Sequence, residues 1–112
     1  MKIKFFGRQV NDYSDGTAGV TLTSGKTTMI TVYVEDDDGT RLQASDSTAT
    51  FAWTLPDWMP VYPEGFPSNA DMTQPSPTDD LVGRTGEITF QATTPDGRQE
   101  SKSLPFTIAG NR

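Results

Sequence analysis

Two stretches with a strict two-residue period, separated by an acidic turn, constrain this chain more than anything else in it. Residues 28–35 read T-M-I-T-V-Y-V-E, and residues 48–55 read T-A-T-F-A-W-T-L. Side chains alternate faces along a strand, so Ile30, Val32 and Val34 share one face. Ala49, Phe51, Trp53 and Leu55 share another in the same way. Each set is suited to one side of a core, and Trp53 is its largest member. Asp36-Asp37-Asp38-Gly39 lies between them, and Pro56 ends the second run because proline cannot donate to a ladder.

The rest of the chain repeats the pattern at shorter range. Lys2 to Val10 alternates weakly and reads as an edge strand ending at Gly7, followed by a loop over Asn11 to Gly19. Val20 to Thr23 is a short strand before the Ser24-Gly25 turn. Thr40 to Gln43 is a further short strand. Glu87 to Thr93 presents Ile88, Phe90 and Ala92 on one face, and Ser101 to Ile108 presents Leu104, Phe106 and Ile108. Pro95-Asp96-Gly97 joins them, with proline presetting φ and glycine taking positive φ. Pro105 lacks an N–H, which places its strand at an edge or a bulge. About seven short strands with closely spaced turns, no helical periodicity and a length of one domain predict an all-β sandwich.

One segment does not fit the rhythm. Pro56 to Asp80 carries six prolines and excludes both a regular helix and a central strand. Its first half, W-M-P-V-Y-P-E-G-F-P, is aromatic; its second half is polar and is expected to be the more mobile. Trp58, Tyr62 and Phe66 recur every four residues in the first half. Rigid aromatics in a proline-stiffened loop make good interface anchors. The competing reading is that they fold back and cap one end of the sandwich.

Composition narrows the chemistry. The chain has 112 residues, a net charge of −6 and no histidine or cysteine. The acidic balance argues against nucleic acid and against anionic membranes. The missing histidine removes the commonest general base and metal ligand. Without His or Cys no familiar nucleophilic triad forms, and carboxylate pairs such as Asp79-Asp80, or Asp57 with Glu64, are not placed around any pocket. The Asp36–Asp38 cluster fails the spacing of a calcium loop and reads as a solvated turn. No cofactor and no metal are expected, and no enzyme activity. Met1-Lys2-Ile3-Lys4-Phe5-Phe6 has no apolar run of signal-peptide length, which leads to the expectation of a complete product made in the cytoplasm.

The order T-L-T-S-G-K-T-T-M-I-T-V-Y-V-E-D-D-D-G, then A-T-F-A-W-T-L-P, then G-E-I-T-F-Q-A-T-T-P-D-G, then L-P-F-T-I resembles the Ig-like domains of bacterial and phage proteins. The resemblance implies a single Ig-like antiparallel β-sandwich over 1–112. It departs from the pattern in an N-terminal arm, 1–19, and a Pro-rich insertion, 56–80. It also implies a non-enzymatic structural or binding module. The favoured version is a tailed-phage virion accessory, a capsid decoration or tail protein made in the host cytoplasm. It would be a monomer in isolation or a symmetric oligomer on a particle. A carbohydrate-binding or adhesion module of a bacterial surface protein is the alternative. Partner contact is expected at the two departures: Ile3 and Phe5 by strand addition, and Trp58, Tyr62 and Phe66 by aromatic anchoring, with a capsid or tail protein as partner or, in the alternative, glycans.

Overall fold

The computed structural model describes residues 1–7, 19–44 and 48–110. Among these it has eight strands and a single 3-10 turn: β1 (Lys2–Gly7), β2 (Val20–Thr23), β3 (Ile30–Glu35), β4 (Arg41–Leu42), β5 (Thr50–Thr54), β6 (Met72–Thr73), the 3-10 turn Asp79–Leu81, β7 (Thr85–Thr93) and β8 (Gln99–Ala109). Val10 and most of the loop expected after it lie outside the described residues. Two four-stranded sheets form. In one, β3 pairs with β1 on one side and with β4 and β6 on the other; the second has the order β2-β8-β7-β5. All pairs are antiparallel except β2 with β8.

The alternating residues named above face each other across the two sheets. Ile3, Phe5, Ile30, Val32, Val34, Phe51, Trp53, Ile88, Phe90, Leu104, Phe106 and Ile108 are all buried. Their neighbours in sequence, such as Thr50, Ala52 and Thr54, point to solvent. This is the half-wet face expected of antiparallel sheets. Phe90 sits directly opposite Trp53 in the register of β5 and β7. The two rings are 4.8 Å apart, and Phe51 meets Phe90 edge-on at 4.9 Å. From the other sheet Phe5 reaches both, at 5.9 Å from Trp53 and 6.4 Å from Phe90. The chain placing β1, β3 and β6 on one sheet and β5, β7 and β8 on the other has the strand arrangement of an immunoglobulin-like sandwich. The tryptophan stands on the strand where such domains carry one. Here it packs on phenylalanines, in a chain without cysteine.

Two expectations need correction. Pro105 does not lie at an edge, because β8 is central. Both backbone groups of Ile108 face β7, as it donates to the Arg84 carbonyl and accepts from Gly83 N–H. Alternate residues then turn the other way, toward β2, as Ala109 does in accepting from Ser24 N–H. Pro105 belongs to that set, and the β2 ladder starts only at Val20 opposite Phe106. Its missing donor therefore faces a position where no ladder has begun.

The second correction concerns the polar half of the Pro-rich segment, which is tied down rather than mobile. It crosses from one sheet to the other. Ser68 accepts from Trp53 N–H at 2.8 Å, Asp71 from Val32 N–H at 3.0 Å, Pro75 from Thr28 N–H at 3.0 Å and Pro77 from Gly25 N–H at 2.9 Å. Met72 and Thr73 form β6 beside Ile30 and Thr31. Pro75 and Pro77 are fully buried. Proline costs nothing in such a crossover, where carbonyls accept and few N–H groups are needed.

The hairpin and the acidic turn are clamped together. Thr94 and Arg98 close the β7–β8 turn, with Gly97 at φ +93°. Arg98 makes a bidentate pair with Asp36, at 2.7 and 2.8 Å, while its Nε holds Asp96 at 3.0 Å. The forked guanidinium fits a carboxylate in this way. It holds the Asp36 carboxyl well below the ordinary value of 3.8, helped by the Asp37 N–H, and Arg98 itself is raised.

Two predictions follow from this packing. Trp53→Ala removes a buried ring and its contacts and costs about 3–5 kcal/mol, much of the stability of a small domain. A thermal melt within a few degrees of wild type would show that the aromatic cluster does not organise the core. The second concerns acid. A carboxyl whose folded pKa is depressed contributes stability above its unfolded pKa and loses it as pH falls through the folded value. The difference in melting temperature between wild type and Asp36→Asn is therefore constant near neutrality and closes progressively below 3.8. A gap that persists unchanged in strong acid would mean that the pair contributes nothing through its charge.

Candidate functional site

The first half of the Pro-rich segment forms a loop held by its own backbone. Tyr62 N–H donates to the Gln74 carbonyl at 3.0 Å, and Ser76 N–H to the Pro60 carbonyl at 2.8 Å. The Gln74 side-chain amide returns a bond to the Tyr62 carbonyl at 2.9 Å. Val61 bridges Pro75. Met59 is buried, so the loop is anchored to the core just before the bend. Pro63 and Phe66 close the next turn through a 3.0 Å bond.

This backbone separates the three aromatics that the spacing groups together. Trp58 is half-buried and stands edge-on to Phe106 at 6.0 Å. Arg84 lies over its outer face, 5.0 Å from the ring centre. Trp58 thus packs against the end of the sandwich and keeps part of its surface open. Phe66 is half-buried. Tyr62 alone projects fully, at 65% exposure. Among the described residues the only other large apolar side chain so exposed is Val82, which lies two residues before Arg84. Arg84 was invisible in the sequence as a partner of Trp58, since only folding brings the β7 entrance under the loop.

Ile3 and Phe5 stand on β1, at the edge of its sheet, with their side chains turned into the core. They are 5% and 0% exposed, and Phe5 is part of the aromatic cluster. Whatever β1 offers to a partner, it is not these side chains.

The acidic turn is occupied by the chain itself. Asp36 holds Arg98, Asp37 receives the N-terminal ammonium, and Asp38 accepts from Thr40 N–H at 3.0 Å. That last bond holds the Asp38 carboxyl below its ordinary range. No group of three acids or other ligating side chains converges on a metal position among the described residues. Shallow concavities open among the described residues. One, of about 240 Å³, is lined by Ala44, Ala49, Thr50, Phe51 and Asn69. Another, of about 370 Å³, lies beside Met1 and the acidic turn.

No family model matches this chain, and no curated protein matches it. Among solved structures it is similar to the BIgI domain of the beta protein from S. agalactiae, bound to CEACAM1. Identity there is 11%, over 99% of this chain and 100% of that one, with a TM-score of 0.45. It is also similar to part of an endo-fucoidan hydrolase of glycoside hydrolase family 107. Identity is 16% over 83% of this chain, with a TM-score of 0.47, and the match spans only 13% of the hydrolase chain. Likeness at this distance does not extend to activity or partners.

The packing of Trp58 can be tested at Gly86. A Cβ there would stand 2.8 Å from the Phe106 ring and 3.3 Å from Pro56. Gly86→Ala is expected to push Phe106 out from under Trp58, lowering the melting temperature and red-shifting the tryptophan emission. A variant with unchanged melt and emission would show that Trp58 does not depend on this packing.

Proposed function

We propose that this chain is a non-enzymatic structural or binding module that grips a protein partner through its Pro-rich loop. The favoured setting is the surface of a phage particle, on the capsid or the tail. The observation that carries the reading is Tyr62, 65% exposed on a loop whose backbone is already bonded to Gln74. An aromatic on a pre-ordered backbone gives up little entropy when it enters a partner's pocket. Trp58 and Arg84 sit on the same end of the molecule as β7 begins, and Trp, Tyr and Arg are the residue types that dominate interface hot spots. The phage setting is supported by the resemblance of the strand motifs to phage Ig-like domains.

The same exposed ring could stack on a sugar, which is the carbohydrate-binding or adhesion alternative. Co-sedimentation with purified phage particles, run beside a glycan array, separates the two. Wild type is expected to pellet with particles, and Tyr62→Ser to keep its melt and lose most of the attachment, a drop of tenfold or more if Tyr62 is a hot spot of about 2 kcal/mol. Attachment unchanged in Tyr62→Ser overturns the assignment of the site. Glycan binding that needs Tyr62, with no particle attachment, replaces the protein partner with a sugar.

A further inference from the structure

The outer faces of the two sheets differ in a way that the core does not require. On the β2-β8-β7-β5 sheet the outward positions of β5 and β7 are Thr50, Ala52, Thr54, Thr85, Glu87, Thr89, Gln91 and Thr93, and those of β8 include Ser101, Ser103 and Thr107. This is a hydroxyl-rich face of the kind water covers well. The outward positions of the other sheet are Lys2, Lys4 and Phe6 on β1, Thr31, Tyr33 and Glu35 on β3, Arg41 on β4 and Met72 on β6.

The strand register turns that set into a patch. Lys2 lies opposite Glu35, Lys4 opposite Tyr33 and Phe6 opposite Thr31. Across the other edge of β3, Arg41 lies opposite Glu35 and Met72 opposite Thr31. Neighbouring strands are about 4.8 Å apart, and successive outward residues about 6.8 Å apart along a strand. Phe6, Tyr33 and Met72 therefore lie within one small area, bordered by three cations. Each of the three apolar residues is only half-buried. Arg41 leans over the Tyr33 ring at 4.9 Å, and the Tyr33 hydroxyl reaches Glu35 at 3.4 Å. Lys2, Lys4 and Arg41 form no ion pair among the described residues, whose pairs run from Met1 and Arg98. Along the outward positions of these strands three cations stand against Glu35, with Asp37 of the next turn bordering the Lys2 corner, on a chain of net charge −6.

We infer that this face is a second docking surface, built for a protein whose contacting surface is acidic. Aromatic residues, methionine and arginine are the types enriched at protein interfaces. An excess of cations at the rim of an apolar centre steers and orients a negatively charged partner. The face uses none of the side chains of the Tyr62 loop and stands whether or not that loop is a contact.

The probe is a random copolymer of glutamate and tyrosine, titrated into isotopically labelled full-length chain at low ionic strength. Amide shift changes are expected at Lys4, Tyr33 and Arg41 and not on β5 or β7. Affinity is expected to fall about tenfold in Lys4→Glu/Arg41→Glu, and to weaken as salt screens the charges. Tyr33→Ala should lower it without altering its salt dependence. Thr50→Glu/Thr54→Glu on the opposite sheet serves as control and leaves it nearly unchanged. Each variant is accepted only with a cooperative melt, and all positions point outward. Shifts confined to other surfaces, or no binding, would overturn the inference. So would equal loss in the control pair, or an oligothymidylate that binds the same residues as tightly. Concentration-dependent association of the free chain through these residues would make a second copy, not an acidic partner, the occupant.

Discussion

Trp53 is the constraint that the rest of the sandwich satisfies. It lies opposite Phe90 within its own sheet and takes Phe5 from the other. Its indole N–H donates to the Ala70 carbonyl at 2.7 Å, and its backbone N–H to Ser68. One residue therefore joins both sheets and the crossover between them. A buried indole has a donor that must be satisfied, and in this fold the crossover supplies the acceptor. In antibody domains the corresponding tryptophan packs against a cross-sheet disulfide; in this chain, which has no cysteine, its partners are Phe5 and Phe90.

Most of the strands were legible because burial on one face writes a period of two into the sequence. β2 and β7 to β8 lie where the alternation puts them, and Trp53 falls in the core with Phe51. β6 was not legible. Two residues, Met72 and Thr73, carry no period, and they pair with β3 because the crossover brings them there. The aromatic spacing in the Pro-rich segment was legible but misleading. Residues four apart share a face on a helix, and a proline-turned loop has no such face. Trp58, Tyr62 and Phe66 therefore leave the backbone in different surroundings. Ile3 and Phe5 were read as an edge strand's contacts, although their alternation with Lys2 and Lys4 equally marks an inner face. Pairing with β3 turns both side chains inward and leaves β1 at the edge of its sheet.

Charge in this chain is placed, not merely abundant. The acids of the turn after β3 are spent on structure. Asp36 binds Arg98 across to the β7–β8 hairpin, Asp37 meets the amino terminus and Asp38 closes its own turn. Such exposed pairs contribute modestly to stability, and salt screens them. Their greater effect is to fix where two loops sit relative to each other. A cluster of three aspartates that looks like a cation site in sequence is thus a set of separate hydrogen-bond acceptors in the fold.

The outer faces make the complementary point. Core packing fixes every second residue of each strand and leaves the alternate ones free to answer to solvent or to a partner. On the β5–β7 side those positions hold threonine, serine and glutamine, which suit a strand and suit water. On the β1–β3 side they hold Phe6, Tyr33 and Met72 with Lys2, Lys4 and Arg41 around them. Strand propensity alone accounts for the phenylalanine and the tyrosine, but not for leaving them only partly covered beside cations that form no ion pair among the described residues. Hydration favours the first face as it stands. The second gains from being covered, because burial of its apolar centre and neutralisation of its rim act in the same direction.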